Sequence, residues 1–229
     1  MSAQQTRQTI DTHLARDRAR AMALIGSAVS RETLTRLDGL VALLLKWQTT
    51  TNLVAPSTLA EIWTRHVADS LQLLTIVPDA RAWVDLGSGG GFPGLVIACA
   101  MADHPDGKID LVESNLKKSA FLREAARTLS VPAIVHARRI EDFVSAPMQS
   151  FDVVTARALA PLGRLLDYAG PLLKTGAIGL FPKGQDAESE LTAASKSWTI
   201  DAQLVPSVTD PQARIVVVRR ATKLTHCNT

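Results

Sequence analysis

The pattern of apolar and polar positions divides the chain near residue 80. Residues 1–21 are polar and charged, with Arg7, Asp11, Arg16, Asp17, Arg18 and Arg20 and few large apolar groups, and read as a loose or helical arm. From Ser30 to Leu74 the spacing is helical. Leu34, Leu37, Val41, Leu44 and Leu45 recur at intervals of three and four and make one apolar face. Ser30, followed by Glu32 and Thr33, supplies a start signal, because its side-chain oxygen can accept from a free N–H of the first turn. Residues 52–57 read as a turn, and a second helix starts about Thr58 and carries Ile62, His66, Ser70 and Leu73.

Beyond Arg81 short β-rich runs alternate with helical stretches. Strands are expected at 82–86, 109–113, 133–137, 151–156 and 177–181, and near 200–205 and 214–219. Helices are expected at 93–101, 116–129, 161–173 and 187–194. This alternation implies an α/β fold, a doubly wound, mostly parallel seven-stranded sheet. The last two strands, joined by a short link at 208–212, suit an antiparallel hairpin at the sheet edge. The expected organisation is an N-terminal arm and helical cap over 1–80 and an α/β domain over 81–229.

Composition narrows this little. The 229 residues are 46% hydrophobic and 21% charged, which is globular. Aromatic residues make up only 4%, which disfavours a nucleic-acid binder built on stacking. A net charge of +3 permits an anionic partner without demanding one. Cys99 and Cys227 are too few for a metal cluster and suit a reducing compartment. With no apolar leader and no membrane-length apolar run, a cytoplasmic protein is expected, with no membrane partner and no metal.

The chemistry concentrates at residues 85–94, where Asp85 closes a strand and Gly87, Gly89, Gly90, Gly91 and Gly94 follow within ten residues. Two registers fit. Gly89, Gly91 and Gly94 match the dinucleotide pattern G-x-G-x-x-G, and Asp85, Gly87, Gly89 and Gly91 match the acidic-x-G-x-G-x-G pattern of S-adenosylmethionine sites. Pro93 removes one of the helix N-terminal N–H donors that a pyrophosphate needs. Asp85 also suits a cationic amino group better than a phosphate. Both features favour S-adenosylmethionine. Glu113, 28 residues after Asp85, is placed to accept from ribose hydroxyls; the bland alternative is a solvated charge ahead of Ser114 as helix cap.

Residue sets for several methyl acceptors are missing. Amine methylation commonly uses N/D-P-P-Y/F after the fourth strand, where this chain has Thr155-Ala156-Arg157-Ala158-Leu159. Neither cysteine stands where a pyrimidine nucleophile is needed, and a Lys-Asp-Lys-Glu set for ribose hydroxyls cannot be placed. A ring nitrogen such as guanine N7 has a free lone pair and requires no general base. Residues 114–139 carry Lys117, Lys118, Arg123, Arg127, Arg138 and Arg139 against Glu124 alone, and Arg214, Arg219, Arg220 and Lys223 cluster later. Such side chains fit RNA phosphates or, equally, a solvated face.

Several segments together carry a family resemblance: Lys46-Trp47 with Asn52-Leu53, Arg65-His66-Val67-Ala68-Asp69-Ser70, the 85–94 loop, Ala156-Arg157-Ala158 with Pro161-Leu162, and Pro182-Lys183-Gly184. From about Leu37 to Arg219 the chain resembles the bacterial small-subunit (16S) rRNA guanine-N7 methyltransferase G family (RsmG/GidB). The resemblance implies a class I, Rossmann-like methyltransferase domain using S-adenosylmethionine. It implies a substrate guanine (527 in the family's rRNA numbering) in the 530 loop of 16S rRNA, met as free rRNA or in a small ribosomal subunit assembly particle. It implies that Gly87, Phe92, Ile140, Glu141 and Arg157 join Asp85, Gly89, Gly91 and Glu113 at the cofactor. Asn52, Arg65, His66, Asp69, Ser70 and Lys183 are implied at the substrate, with Arg157, Lys183 and His66 nearest the chemistry. Residues 1–30 align with no family counterpart, and Pro182 replaces a usual non-proline. His66 could instead be a buried core histidine, Arg157 the partner of a sheet-edge carboxylate, and Lys183 a solvated turn residue. A metabolite or protein methyltransferase, a nicotinamide-dependent oxidoreductase and a non-enzymatic RNA-binding module remain the competing readings.

Overall fold

The computed structural model describes residues 3–26, 29–146 and 150–224. Helix α1 (Ala3–Ile25) makes the N-terminal arm a single 23-residue helix. Helix α2 (Arg31–Gln48) starts at Ser30, whose hydroxyl accepts from Thr33 N at 3.0 Å. It buries Leu37, Leu40, Val41 and Leu44, the stripe expected from the spacing.

The single helix expected from Thr58 runs without a gap but changes its winding along the way: a 3-10 turn (Pro56–Glu61), a π-helical turn (Trp63–Ala68) and α3 (Asp69–Ile76). The change of winding meets a partner distant in sequence. Asp17, reaching from α1, accepts from Trp63 N at 2.7 Å and Thr64 N at 3.3 Å, so a buried carboxylate satisfies the turn's free donors.

The sheet then builds as β1 (Ala82–Leu86), α4 (Gly94–Met101), β2 (Lys108–Val112), α5 (Leu116–Thr128) and β3 (Ala133–His136). The second half is α6 (Ile140–Val144), β4 (Val153–Thr155), α7 (Leu162–Lys174), β5 (Ile178–Lys183), α8 (Ala187–Ala194), β6 (Trp198–Pro206) and β7 (Arg214–Lys223). The spatial order is β3-β2-β1-β4-β5-β7-β6. The first five strands run parallel, and β7 inserts antiparallel between β5 and β6. The expected terminal hairpin is present, with β6 rather than β7 at the edge. Central strands covered on both faces are mostly apolar, with Asp85 in β1 and Asp110 in β2 as the buried carboxylates among them, and only one of the five residues of β1 is not fully buried. Two corrections are local. Helix α6, five residues long, is too short to show periodicity. The cap of α5 is Asn115, not Ser114: its side chain accepts from Lys117 N and Lys118 N.

Two apolar clusters flank the sheet. One joins Leu37, Leu44, Ile62 and Leu73 of the N-terminal helices to Trp83, Leu95, Ile97 and Phe121. The other holds Val84, Leu86, Leu165, Leu166 and Phe181 under α7 and α8. The N-terminal helices therefore share a core with one face of the sheet. The strand order reverses between β1 and β4, the crevice where open α/β sheets bind ligands beyond the strands' carboxyl ends.

Candidate active site

A cavity of about 550 Å³ opens at that crevice, within the range of small-molecule sites. Its walls are the ends of β1, β2 and β4: Gly87, Ser88, Gly89, Gly90 and Phe92 from the loop, Glu113 and Ser114 after β2, and Arg157–Leu159 after β4. Ile140 and Glu141, opening α6, close one side, and Leu53 and Val54 from the N-terminal helical region close another. A Cβ built on Gly89 meets nothing nearer than Gly87 O at 3.7 Å, so a side chain there would project into open space. Glu113 stands at the loop. Its Oε2 accepts from Gly89 N at 2.9 Å and its Oε1 from Asn115 N at 2.7 Å.

Two residues expected at the ligand lie behind the loop instead. Asp85 is buried beneath it, with Oδ2 accepting from Gly94 N at 3.2 Å and Oδ1 from Thr155 Oγ1 at 3.0 Å. Burial pushes its carboxyl up to about 6, against the pull of those hydrogen bonds. Gly94 must lack a side chain there, because a Cβ would come within 2.7 Å of Asp85 Oδ2. Gly91 turns away from the cavity at φ +86°, and a Cβ on it would strike Leu95. The acidic residue and these two glycines shape the loop; Gly87, Gly89 and Gly90 face the cavity.

A second cavity of about 750 Å³ adjoins the first and shares Thr58, His66, Arg157, Ala158 and Leu159 with it. Its far walls are Asp69, Lys183, Gly184 and Glu190, the β6–β7 loop at Ser207, Thr209 and Asp210, and Arg20 and Arg65. The shared wall is a tight cluster. Arg157 Nη2 donates to His66 Nδ1 at 2.6 Å and Nη1 to Arg65 O at 3.1 Å, and the guanidinium lies 5.5 Å over the Phe92 ring. With Nδ1 accepting, Nε2 carries the proton and donates to Thr58 Oγ1 at 2.9 Å. Burial, then the charges of Arg157 and Arg65, lower the His66 pKa to about 3, so the ring is neutral. His66 is thus both a satisfied buried histidine and part of both cavity walls.

Asp69 ties this cluster to the hairpin. It accepts from Gln72 Nε2 at 2.7 Å and Thr209 Oγ1 at 3.0 Å, and Arg157 Nη1 lies 3.8 Å from its Oδ2. Lys183 is not solvated: Nζ donates to Ala160 O at 2.6 Å and pairs with Glu190 at 2.7 Å. Pro182 pairs in register with Ile215 and leaves Lys183 at the strand end. Two expected substrate residues stay outside both cavities. Asn52 is exposed and accepts from Gln48 Nε2 at 3.3 Å, and Ser70 is buried with its hydroxyl donating to His66 O at 2.5 Å. Sequence reasoning missed Thr58, Leu53, Val54, Leu159, Glu190 and the hairpin hydroxyls. Arg138 and Arg139, noted only for charge, line the first cavity beside Ile140.

A family profile described as GidB, rRNA small subunit methyltransferase G, matches residues 33–216. The chain belongs to this family. A protein named Ribosomal RNA small subunit methyltransferase G from Bradyrhizobium sp. (strain BTAi1) is 57% identical over 205 residues, covering 90% of this chain and 91% of that protein. Its namesake from Rhodopseudomonas palustris (strain HaA2) is 52% identical over 230 residues, 99% of this chain and 96% of that protein, so the N-terminal arm does have a counterpart among relatives. Solved structures agree in fold. The O-methyltransferase from Bacillus cereus in complex with SAH has TM-score 0.57 at 16% identity, covering 92% of this chain and all of that one. A putative O-methyltransferase from Klebsiella pneumoniae has TM-score 0.58 at 13% identity, covering 93% and 99%. The chain is therefore a small-subunit rRNA methyltransferase G family member with a Rossmann-like methyltransferase domain.

Proposed function

We propose that this chain transfers the methyl group of S-adenosylmethionine to N7 of a guanine in the 530 loop of 16S rRNA. The supporting observation is the pair of adjoining cavities that share the His66–Arg157 wall, one of small-molecule size and the other wider. The first fits the cofactor: Gly89 leaves space a side chain would fill, Gly87 lets Leu159 approach the loop closely, Glu113 offers carboxylate oxygens at the end of β2, and Ile140 and Glu141 flank the far end. When bound there, the cofactor supplies an electrophilic methyl group.

The chain's own residues orient and enclose. His66 has no free lone pair, since Nδ1 accepts from Arg157 and Nε2 donates to Thr58. It serves as a wall and brace rather than a base, as an acceptor without a proton to lose requires. We assign the contact with guanine O6 or a neighbouring phosphate to Arg157 and Lys183, cations that line the wider cavity. Lys118, Arg138, Arg139 and Arg214 extend positive charge around the two openings.

Among the described residues no helix is long and apolar enough to cross a membrane, and no group of three or more His, Cys, Asp or Glu is arranged to hold a metal. We place the enzyme in the cytoplasm, with the small ribosomal subunit or its precursor as partner. The test is primer extension after borohydride–aniline cleavage of 16S rRNA from a deletion strain, with and without the gene restored. The 530-loop stop is expected to vanish and return; an unchanged 7-methylguanosine signal sinks the reading.

A further inference from the structure

Helix α1 lies outside residues 33–216 matched by the family profile, yet it enters the site in two ways. Asp17, nine-tenths buried, holds the π-helical turn that carries Arg65 and His66: it accepts from Trp63 N, Thr64 N and, at 2.5 Å, Thr64 Oγ1. Three residues on, Arg20 lines the second cavity beside Arg65. Arg16, four residues before Arg20, projects from the same side of the helix.

The arginines of α1 divide by their partners. Arg18 is taken up, with Nε 2.7 Å from Asp38 and its guanidinium 5.1 Å over the Trp63 ring. Arg16, Arg20 and Arg65 are exposed and form no ion pair among the described residues. The carboxylates of the same cavity offset this rim only in part. Glu190 is engaged by Lys183, Asp69 by Gln72 and Thr209, and Asp210 stands on the hairpin and accepts from Gln212 N. Glu61, on the 3-10 turn, is the acidic side chain that shares the rim.

We infer that α1 is part of the RNA-binding surface, with Arg16, Arg20 and Arg65 contacting backbone phosphates next to the target nucleotide and Asp17 locking that rim to the cavity. This rests on the rRNA substrate proposed above. Two guanidinium groups on α1 and a third on the π-helical turn it holds, none in an ion pair among the described residues, match a polyanion that continues past the reacting base. A small metabolite confined to the cavity would not reach Arg16.

The experiment compares the parent chain with Arg16→Glu/Arg20→Glu and Arg16→Lys/Arg20→Lys in methyl transfer to small subunits from a deletion strain, over a range of salt. For the glutamate pair, KM for subunits is expected to rise on the order of tenfold, and its log–log salt slope to fall by about two. S-adenosylmethionine affinity and circular dichroism should match the parent, and the lysine pair should stay within about threefold of it. A KM within twofold of the parent and an unchanged salt slope overturns the inference, as does parallel loss of cofactor binding, which would mean that α1 acts on the fold alone. A parent that fails to methylate subunits overturns the proposed function instead, and this inference with it.

Discussion

Replacing Asp85 with asparagine separates two roles that a loop carboxylate can have, holding the loop or holding the ligand. Both carboxylate oxygens are engaged within the protein, by Gly94 N and Thr155 Oγ1, and the side chain does not reach the cavity. Burial lifts its pKa from 3.8 to about 6. The folded state therefore binds the proton more tightly than the unfolded chain, and this group's contribution to stability falls as pH rises between those two values. Near pH 5 protonation of Asp85 still contributes on the order of 1 kcal/mol, and by pH 7 almost nothing remains; the full difference is roughly 3 kcal/mol. An asparagine is nearly isosteric. Its oxygen can accept from Gly94 N while its amide donates to Thr155 Oγ1, whose own hydroxyl can turn to Val84 O, 3.4 Å away. Asp85→Asn is therefore expected to be as stable as the parent or more so at pH 7. Relative to the variant, the parent should lose on the order of 1 kcal/mol between pH 5 and pH 7 in urea denaturation. Calorimetry with S-adenosylmethionine should show an affinity within about threefold of the parent. A tenfold loss of affinity, about 1.4 kcal/mol, with stability intact would refute the reasoning and restore Asp85 as a ligand contact.

Two other predictions follow from steric and electrostatic detail. A Cβ on Gly90 would come within 2.7 Å of Leu53 O and 3.2 Å of Leu53 C, backbone atoms that cannot swing aside. Gly90→Ala should cost about 1–3 kcal/mol in thermal or urea unfolding and weaken cofactor binding at least as much; a variant with parent stability and affinity would show that Leu53 moves freely. His66, held neutral with a pKa of about 3, should show no imidazole titration between pH 5 and pH 8 by NMR. Sign matters here too: a depressed histidine pKa favours the folded state above its ordinary value of 6.5 and is a cost only as pH falls below it. A midpoint near 6.5 would mean that the Arg157–His66 contact opens in solution.

The parallel strands were legible to within about two residues because a parallel strand buried on both faces is mostly a short apolar run, as in Trp83-Val84 and Ile109 with Leu111-Val112. Helix α2 and its Ser30 cap were legible for the same kind of local reason. The π-helical winding at Trp63–Ala68 was not, since the carboxylate that accepts from its first donors is 46 residues away. Within the site, Glu113, Phe92, Ile140, Glu141, His66 and Arg157 all reach a cavity wall. Asp85, Gly91 and Ser70 hold their surroundings from behind, and Asn52 is exposed outside both cavities. Residue type and spacing place a residue in a loop; which side of the loop it faces depends on the packing beneath it.

By itself, then, the sequence determined the alternation of strands and helices, the glycine loop at the end of β1 and the family to which these motifs belong. Each depends on interactions within a few residues: periodicity, turn chemistry and helix caps. Tertiary structure decided which groups are charged, which are satisfied and which are free. Asp69 meets Thr209 across 140 positions, Arg157 meets His66 across 91, and Asp17 reaches Thr64 from the N-terminal helix. Burial and those contacts keep His66 neutral, leave Arg20 and Arg65 at the rim with Arg16 one turn back along α1, and set the two cavities side by side. Burial and Coulomb fields act between groups that folding brings together, and the pattern of apolar and polar positions along the chain does not encode such pairs one by one.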